Sequence, residues 1–223
     1  MMRNRFINMA DAQINMIKQQ LRPAGILDPK ILALFDKTPR EQFVPTAYHE
    51  LAYMDSMIPL TNGQAMLSPI LEAQILKVLT LKPTDKVLEV GTGTGYLTAL
   101  LAQQAQHVYS IDSLAENTEQ AQRNISNLEI TNISLATNDA SAGWDKQQPY
   151  DAIVITGSLD FLPKEFLQQL TLGGKLFVVI NQGQTMYAYL ITRLGEQDWT
   201  HHRLFETMIP PLALAKRKST FKF

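Results

Sequence analysis

The stretch that most constrains the fold runs from residue 82 to residue 112 and reads as strand, glycine turn, helix and strand. Lys86–Val90 is a short β-prone run, and residues 107–111 form a second one that ends at Asp112. Glycines separate the first strand from the helix, and a residue without a Cβ lets the backbone approach a ligand closely. Two parallel strands with a crossover helix place a ligand beyond their carboxyl ends. The stretch therefore predicts a nucleoside-binding crevice.

The spacing of the glycines narrows the choice of nucleoside. A dinucleotide fingerprint would need glycine at position 96, where the chain has Tyr96. The run is instead Glu89-x-Gly91-x-Gly93-x-Gly95, which resembles motif I of the S-adenosylmethionine (SAM)-dependent methyltransferases. SAM carries an ammonium and a sulfonium, so an acidic residue beside the loop is electrostatically reasonable. The resemblance implies SAM as the cofactor, and an NAD-linked dehydrogenase is the weakest alternative.

Composition limits the class of protein. The chain has 223 residues, 45% of them hydrophobic, which suits one globular domain with a real core. Its net charge of −1 gives no reason to expect a nucleic-acid partner. The absence of cysteine excludes disulfides and thiolate metal sites, and no metal site is expected. No apolar run reaches membrane-spanning length and Arg3 and Arg5 do not precede a signal-peptide core, so we expect a cytoplasmic protein without a membrane partner.

The remaining pattern alternates helices and strands. Residues 1–60 read as a helical cover that belongs to the same domain, and residues 61–223 as the core with its C-terminal strands. We expect a helix at 163–170 that ends at Leu172-Gly173-Gly174. Further strands are predicted at 130–136, 150–156, 175–180, 184–193 and 200–208. The fold class is α/β, a Rossmann-like, mostly parallel, doubly wound sheet with antiparallel C-terminal edge strands and an N-terminal helical extension.

Segments along nearly the whole chain resemble the protein-L-isoaspartate O-methyltransferase family. The motif I loop alone would fit any methyltransferase, whereas the PREQFVP run at 39–45 and Gly63-Gln64 narrow the resemblance to this family. The other matching pieces are residues 20–22, 25–26, 52–53, 58–60, 88–96, 108–112, 143–144, 150–153 and 172–176. The resemblance implies a SAM-dependent carboxyl methyltransferase that repairs isoaspartyl proteins, with a protein or peptide carboxylate as its partner. We expect a monomer or homodimer.

One segment departs from the family. Members of the family read Gly-Gln-Thr-Ile-Ser, and their serine helps to hold the substrate carboxylate. This chain resembles a divergent bacterial branch, with Ala65 in the threonine position, Leu67 in the serine position and the hydroxyl one residue later on Ser68. Because one residue on a helix is a rotation of roughly 100°, Ser68 would point elsewhere. Ser68 is therefore either a substrate contact, the candidate catalytic residue, or the N-cap of a helix that begins at Pro69.

The resemblance also implies the cofactor-binding residues. We expect the glycine loop against the amino-acid moiety of SAM, Glu89 near its ammonium, Asp112 on the ribose, and the end of the third strand near the adenine amine. Thr156, after the fourth strand, should border the methyl group. The full set comprises Glu89, Gly91, Thr92, Gly93, Asp112, Ser113, Asn138, Asp139 and Thr156.

Three functions stay open at this point. The first is isoaspartyl carboxyl methylation, in which the acceptor is already ionised and alignment and desolvation replace a general base. The second is methylation of another acceptor, suggested by Leu67. A neutral acceptor would gain from a base, for which the histidines are unpromising candidates; they are His49, His107, His201 and His202. The third is a non-catalytic SAM-binding protein. The basic run Lys216-Arg217-Lys218 is interpreted as solvated.

Overall fold

A computed structural model describes residues 8–217, and within that range one seven-stranded sheet organises the chain. Its strand order is β5-β4-β3-β6-β7-β8-β9, parallel from β5 to β7 and antiparallel at the last two strands. The strands are β3 Lys86–Val90, β4 His107–Asp112, β5 Ile133–Thr137, β6 Tyr150–Leu159, β7 Leu170–Asn181, β8 Met186–Gly195 and β9 Asp198–Glu206. The α/β fold with antiparallel C-terminal edge strands is thus confirmed.

Six α-helices accompany the sheet within residues 8–217. They are α1 Met9–Asn15, α2 Pro29–Lys37, α3 Pro69–Leu79, α4 Tyr96–Ala102, α5 Ala115–Ile125 and α6 Lys164–Gln168. The first continues into a π-helical turn at Met16–Leu21. Asp28 caps α2 as its position before Pro29 predicts, because its carboxylate accepts a hydrogen bond from the Lys30 amide at 2.8 Å. A two-stranded hairpin, β1 Ile58–Pro59 and β2 Ala65–Met66, precedes α3.

The βαβ unit forms where the sequence predicts it. Strand β3 is buried from Val87 to Val90, because it lies at the centre of the sheet with β4 on one side and β6 on the other. Val90 is level with Ile111 in β4 and Ile155 in β6. The carboxyl ends of these three strands therefore meet at one edge, and the loops that follow them converge there.

The fourth predicted strand is longer than expected. The sequence suggests that it ends at Thr156, whereas β6 continues through Gly157 and Ser158 to Leu159. The extension results from contacts with a segment that is distant in the sequence. Ser158 forms a bridge with Pro211 and exchanges backbone hydrogen bonds with residues 210 and 212. A Cβ on Gly157 would lie 2.5 Å from the Leu212 Cα, so only glycine lets the C-terminal segment pass this close.

A second difference concerns Gly173. The sequence suggests a helix that ends at Leu172-Gly173-Gly174, but α6 is only five residues long and ends at Gln168. Gly173 has φ +79° inside β7, where a register shift separates the Tyr150–Leu170 pair from the Ala152–Lys175 pair. Glycine therefore serves a bulge in a strand here and not the end of a helix.

The N-terminal cover is tied to the core by a buried arginine. Arg40 is fully buried, forms an ion pair with Glu72 of α3, donates to the Leu67 carbonyl and lies 4.8 Å from the centre of the Tyr96 ring. Thr38 and Glu41 have the spacing of a capping box, but no side-chain capping bond forms there. The Glu41 carboxylate instead accepts from the Tyr53 hydroxyl. The family-like PREQFVP segment thus packs against the helix and the loop beside the crevice.

Candidate functional site

A cleft of about 50 Å³ lies at the carboxyl edge of the central strands. The walls come from the loops after β3, β4, β5 and β6, together with residues of the β1–β2 hairpin and the C-terminal segment. Seven of the nine residues predicted to bind the cofactor line it, namely Gly91, Gly93, Asp112, Ser113, Asn138, Asp139 and Thr156. The structure therefore brings together side chains that the sequence spreads over 66 positions.

The glycine loop and the acid at the end of β4 contact each other directly. The Gly93 amide donates to the Asp112 carboxylate at 2.9 Å, and the Leu114 amide donates to its other oxygen at 2.9 Å. Gly91 has φ +99°, and a Cβ there would lie 2.1 Å from the Thr156 hydroxyl oxygen. That hydroxyl lies 3.0 and 2.8 Å from the carbonyl oxygens of Val90 and Gly91. A side chain at position 91 would therefore displace the wall of the cleft.

Asn117 is a residue of the site that sequence reasoning missed. Its amide nitrogen lies 3.2 Å from both oxygens of Asp112, and it lines the cleft from the first turns of α5. With two backbone donors already present, Asp112 has its acceptor positions occupied. A ribose hydroxyl that binds Asp112 must therefore share or displace the Asn117 amide. The only sequence signal was its position five residues after the acid, on the inward face of the helix.

Glu89 and Thr92 lie in a second, smaller cavity of about 30 Å³ beneath the loop. Glu89 is fully buried; one carboxylate oxygen accepts from the Thr98 and Ser110 hydroxyls, and Thr92 is 2.6 Å from Ser110. The other oxygen, Oε1, is buried and has no hydrogen-bond partner among residues 8–217. Burial raises the pKa of Glu89 to about 7, although the hydroxyls oppose this. A carboxylate with an unmatched oxygen suits a cation.

Glu72 lines the same small cavity, so two buried acids face it. Burial raises the pKa of Glu72, while the Arg40 guanidinium beside it lowers that pKa by stabilising the ionised form. Arg40 also holds the Leu67 carbonyl, and it thereby fixes the backbone of the segment that forms one wall. The ion pair of Arg40 and Glu72 joins residues 32 positions apart, so no local sequence pattern predicts it.

Ser68 lies elsewhere. It occupies the N-cap position of α3, but its side chain makes no capping hydrogen bond, and it is not among the residues that line either cavity. The cap is supplied by Asp55, whose carboxylate accepts from the Ile70 amide at 3.1 Å. The interpretation of Ser68 as the N-cap residue before Pro69 is confirmed in position, but its side chain does not supply the capping bond. The candidate role as a substrate contact stays a prediction that this placement does not favour.

The opposite wall of the cleft consists of two segments distant in sequence. Leu60, Gln64 and Ala65 come from the hairpin, and Leu212 and Ala213 come from the segment after β9. The Gln64 side-chain nitrogen lies 3.3 Å from the Pro211 carbonyl, so one hydrogen bond spans the mouth between them. We call this wall the acceptor end, and the loops around Asp112 and Asp139 the adenosine end, after the groups that we propose below to lie against them.

A larger groove of about 720 Å³ adjoins the cleft and shares Leu60, Gly93 and Asn117 with it. The N-terminal cover supplies one side of this groove through residues 41–49, and α5 supplies the other. His49 lines it. The other histidines are remote from the cleft: His107 begins β4 and contacts the Ser134 hydroxyl at 2.9 Å, whereas His201 and His202 are exposed on β9.

The donor and acceptor groups fit a SAM-like molecule. An unmatched buried carboxylate oxygen suits an ammonium, an acid at the tip of β4 suits ribose hydroxyls, and Asn138 and Asp139 can face a purine amine. The cleft of 50 Å³ is nevertheless smaller than the roughly 300 Å³ or more of most small-molecule sites. The cleft opens into the space of the adjoining groove, with which it shares Leu60, Gly93 and Asn117. No group of three or more His, Asp or Glu within residues 8–217 is arranged to hold a metal.

Comparisons with known proteins agree with this geometry. The family model for protein-L-isoaspartate(D-aspartate) O-methyltransferase matches residues 12–216. Protein-L-isoaspartate O-methyltransferase 2 of Pelobacter propionicus is 36% identical over 202 residues, which cover 90% of each chain. The Aliivibrio fischeri enzyme of the same name is 37% identical and covers 85% of this chain and 90% of its own.

Solved structures give the same result for the fold. A Plasmodium falciparum protein assigned to this methyltransferase class, in complex with S-adenosyl-L-homocysteine, superposes with a TM-score of 0.78 at 23% identity; the match covers 92% of this chain and 98% of the other. Within residues 8–217, no helix is both long and apolar enough to cross a membrane.

Proposed function

The chain belongs to the protein-L-isoaspartate(D-aspartate) O-methyltransferase family, and from that premise we propose that it methylates the free carboxylate of isoaspartyl residues in damaged proteins. It is a SAM-dependent methyltransferase. The observation that carries the proposal is the match of the family model over residues 12–216, together with a cleft that contains the expected cofactor groups at the carboxyl edge of the sheet. Other acceptors are not favoured.

Bound SAM would supply the methyl group, and the protein's residues bind, orient and exclude water. Glu89 would hold the ammonium through its unmatched oxygen Oε1, since a buried carboxylate is strongly stabilised by a neighbouring cation. Asp112, Ser113 and Asn138 would hold the nucleoside, and Asp139 would lie at the adenine amine. Gly91, Gly93 and Thr156 would form the surface next to the reacting atoms, while Thr92 acts indirectly through Ser110.

The acceptor needs no general base in this chemistry, because an isoaspartyl carboxylate is ionised at neutral pH. The work of the protein is then to align the carboxylate oxygen and remove its water. We propose that residues 41–49 of the N-terminal cover, which form one side of the larger groove, help to exclude water. Oligomeric state, a cytoplasmic location and the lack of a nucleic-acid partner stay predictions from the sequence.

The direct test uses labelled SAM and two peptides that differ in one linkage. A peptide with an isoaspartyl residue should be methylated, and the same peptide with a normal aspartyl residue should not. Transfer by the Gly91→Ala variant serves as the blank, the background of the assay. If transfer to the isoaspartyl peptide does not exceed that blank while the wild-type protein binds S-adenosyl-L-homocysteine, the proposed substrate is wrong.

A further inference from the structure

The charge around the cleft limits which groups can bind an acceptor carboxylate, an inference that rests on the proposed function. The charged residues that line the cleft and the small cavity are all acidic: Glu72, Glu89, Asp112 and Asp139. An acceptor carboxylate that enters beside them adds a further negative charge in partly dehydrated surroundings. Such a group is stable only if hydrogen-bond donors meet it. The acceptor end must therefore offer a donor.

Most side-chain donors that line the cleft are already engaged or lie at the other end. The Asn117 amide is within hydrogen-bond distance of Asp112, and the Thr156 hydroxyl contacts the carbonyls of Val90 and Gly91. Ser113, Asn138 and Ser141 follow β4 and β5, at the adenosine end. Gln64 differs, because it lines the acceptor end and its amide nitrogen makes a 3.3 Å contact, long for an N–H···O bond.

The backbone of Gln64 is held firmly although its side chain is not. The Gln64 amide donates to the Thr61 carbonyl at 3.1 Å, and its carbonyl accepts from the Leu60 amide at 2.8 Å. The turn before it places Asn62 at φ 56° and Gly63 at φ 72°, two consecutive residues in the left-handed region. Asn and Gly are residues that adopt this region readily, so the turn holds the backbone before Gln64 in a defined conformation. The turn presents a half-buried carboxamide at the mouth of the cleft.

We propose that Gln64 is a substrate-binding residue that donates its side-chain N–H to the acceptor carboxylate. In the present structure the same N–H contacts the Pro211 carbonyl across the mouth. When the carboxylate enters, the donor exchanges one oxygen acceptor for a charged one, which forms the stronger bond. The exchange also breaks the side-chain contact between the hairpin and the Pro211 carbonyl.

Peptide binding and cofactor binding separate this role from a structural one. We would measure calorimetric binding of the isoaspartyl peptide to protein saturated with S-adenosyl-L-homocysteine, and steady-state KM with SAM. Gln64→Ala should weaken peptide binding roughly ten- to a hundredfold, while the Kd of S-adenosyl-L-homocysteine changes less than about twofold. Gln64→Glu should weaken peptide binding further and recover part of it at low pH, when the new carboxyl is protonated. Gln197→Ala, at an exposed glutamine in the β8–β9 turn, is the matched control.

Each other outcome counts against the proposal. If Gln64→Ala binds the peptide as well as the Gln197→Ala control does, Gln64 has no role in acceptor binding. A loss of peptide binding in Ser68→Ala with none in Gln64→Ala would move the contact to Ser68. If the wild-type protein binds S-adenosyl-L-homocysteine but neither binds nor methylates the isoaspartyl peptide, the proposed function fails together with this inference, and that pattern differs from a failure of Gln64 alone.

Discussion

The two ends of the cleft are built in different ways. At the adenosine end, Gly93 and Asp112 bond to each other across 19 positions of one βαβ unit, and Asp112 is surrounded by donors. At the acceptor end, Gln64 and Pro211 meet across 147 positions through one long hydrogen bond. The adenosine end is a local motif whose own residues hydrogen-bond to one another. The acceptor end is formed only when the hairpin and the C-terminal segment have both docked.

This difference suggests a division of roles. A contiguous loop can specify the binding of an invariant cofactor, because the same atoms must be bound in every turnover. A site for a variable polypeptide acceptor must open and close, and a wall joined by a weak contact opens at low cost. If this is correct, changes at the adenosine end alter cofactor affinity, whereas changes at the acceptor end alter stability or peptide binding and leave cofactor affinity nearly intact.

The largest expected effect comes from the arginine that supports the acceptor end. Arg40→Met should lower the free energy of unfolding by roughly 3–5 kcal/mol, because Glu72 is left buried without its partner. Burial raises the pKa of Glu72, and that pKa will rise further without Arg40. The loss should therefore be greatest above that pKa and smaller in acid, where Glu72 binds a proton. Urea unfolding at pH 6 and pH 8.5 measures it.

The matched control for Arg40 removes both partners. The double variant Arg40→Met with Glu72→Leu should recover most of the lost stability, since no charge remains buried. An Arg40→Met protein as stable as the wild type at pH 8.5 would show that the acceptor end does not depend on this pair.

The next largest effect is a loss of cofactor affinity, expected from a change at the adenosine end. Gly91→Ala would place a Cβ 2.1 Å from the Thr156 oxygen in a backbone with φ +99°, and it should weaken S-adenosyl-L-homocysteine binding by at least about a hundredfold, or about 2.7 kcal/mol. Calorimetric titration measures this. Gly157→Ala is the counterpart, because its Cβ would meet the Leu212 backbone instead. It should raise the KM for peptide more than it raises the Kd for cofactor; equal losses in both would erase the distinction between the ends.

The Glu89→Gln variant tests the role of this buried carboxylate, first through the pH dependence of stability. The pKa of Glu89 in the folded protein, about 7, is above its ordinary value, so its contribution favours the folded state below about pH 4.5 and is lost as the pH rises through 7. Cofactor-free Glu89→Gln should therefore lack this decline and gain about 3 kcal/mol relative to wild type at pH 8.5. Melting temperatures from pH 5 to 9 would reveal it.

The same variant should also lose cofactor affinity, by roughly tenfold or more, because a neutral amide no longer attracts the ammonium. If Glu89→Gln binds S-adenosyl-L-homocysteine as the wild type does, Glu89 only packs beneath the loop and the ammonium lies elsewhere. Thr98→Val, which removes one hydroxyl from the buried oxygen of Glu89, is the control for disruption of packing.

The smallest effect compares two residues at the start of α3. Asp55→Ala should cost about 1 kcal/mol, because the Asp55 carboxylate accepts from the Ile70 amide. Ser68→Ala should cost less than about 0.5 kcal/mol, since its side chain makes no capping bond. Thermal unfolding of both variants measures the contrast. A larger loss in Ser68→Ala than in Asp55→Ala would restore Ser68 as the cap.

The contrast between the local adenosine end and the long-range acceptor end also explains which parts of the site could be predicted from the sequence. The meeting of Gly91, Gly93 and Asp112 at one edge of the sheet could be predicted from spacing, because a strand, a tight turn and a crossover helix leave little choice about where the next strand ends. Asn117 could not, because a polar residue near the start of a helix has many ordinary explanations. The sequence placed the N-cap correctly at Ser68, but it did not reveal that the Asp55 carboxylate accepts the hydrogen bond from the first turn, because Asp55 lies 15 residues before Ile70.

The amino-acid order by itself determined the α/β class, the glycine loop after β3 and the position of the acid at 112, since these depend on short-range backbone geometry and alternating burial. Only the tertiary structure decided the length of β6, the pairing of Arg40 with Glu72 and the contact of Gln64 with Pro211. Each of these joins segments that no local preference brings together. Their geometry depends on how the cover and the C-terminal segment dock on a finished sheet, which is settled by packing over the whole molecule and not by any one stretch of it.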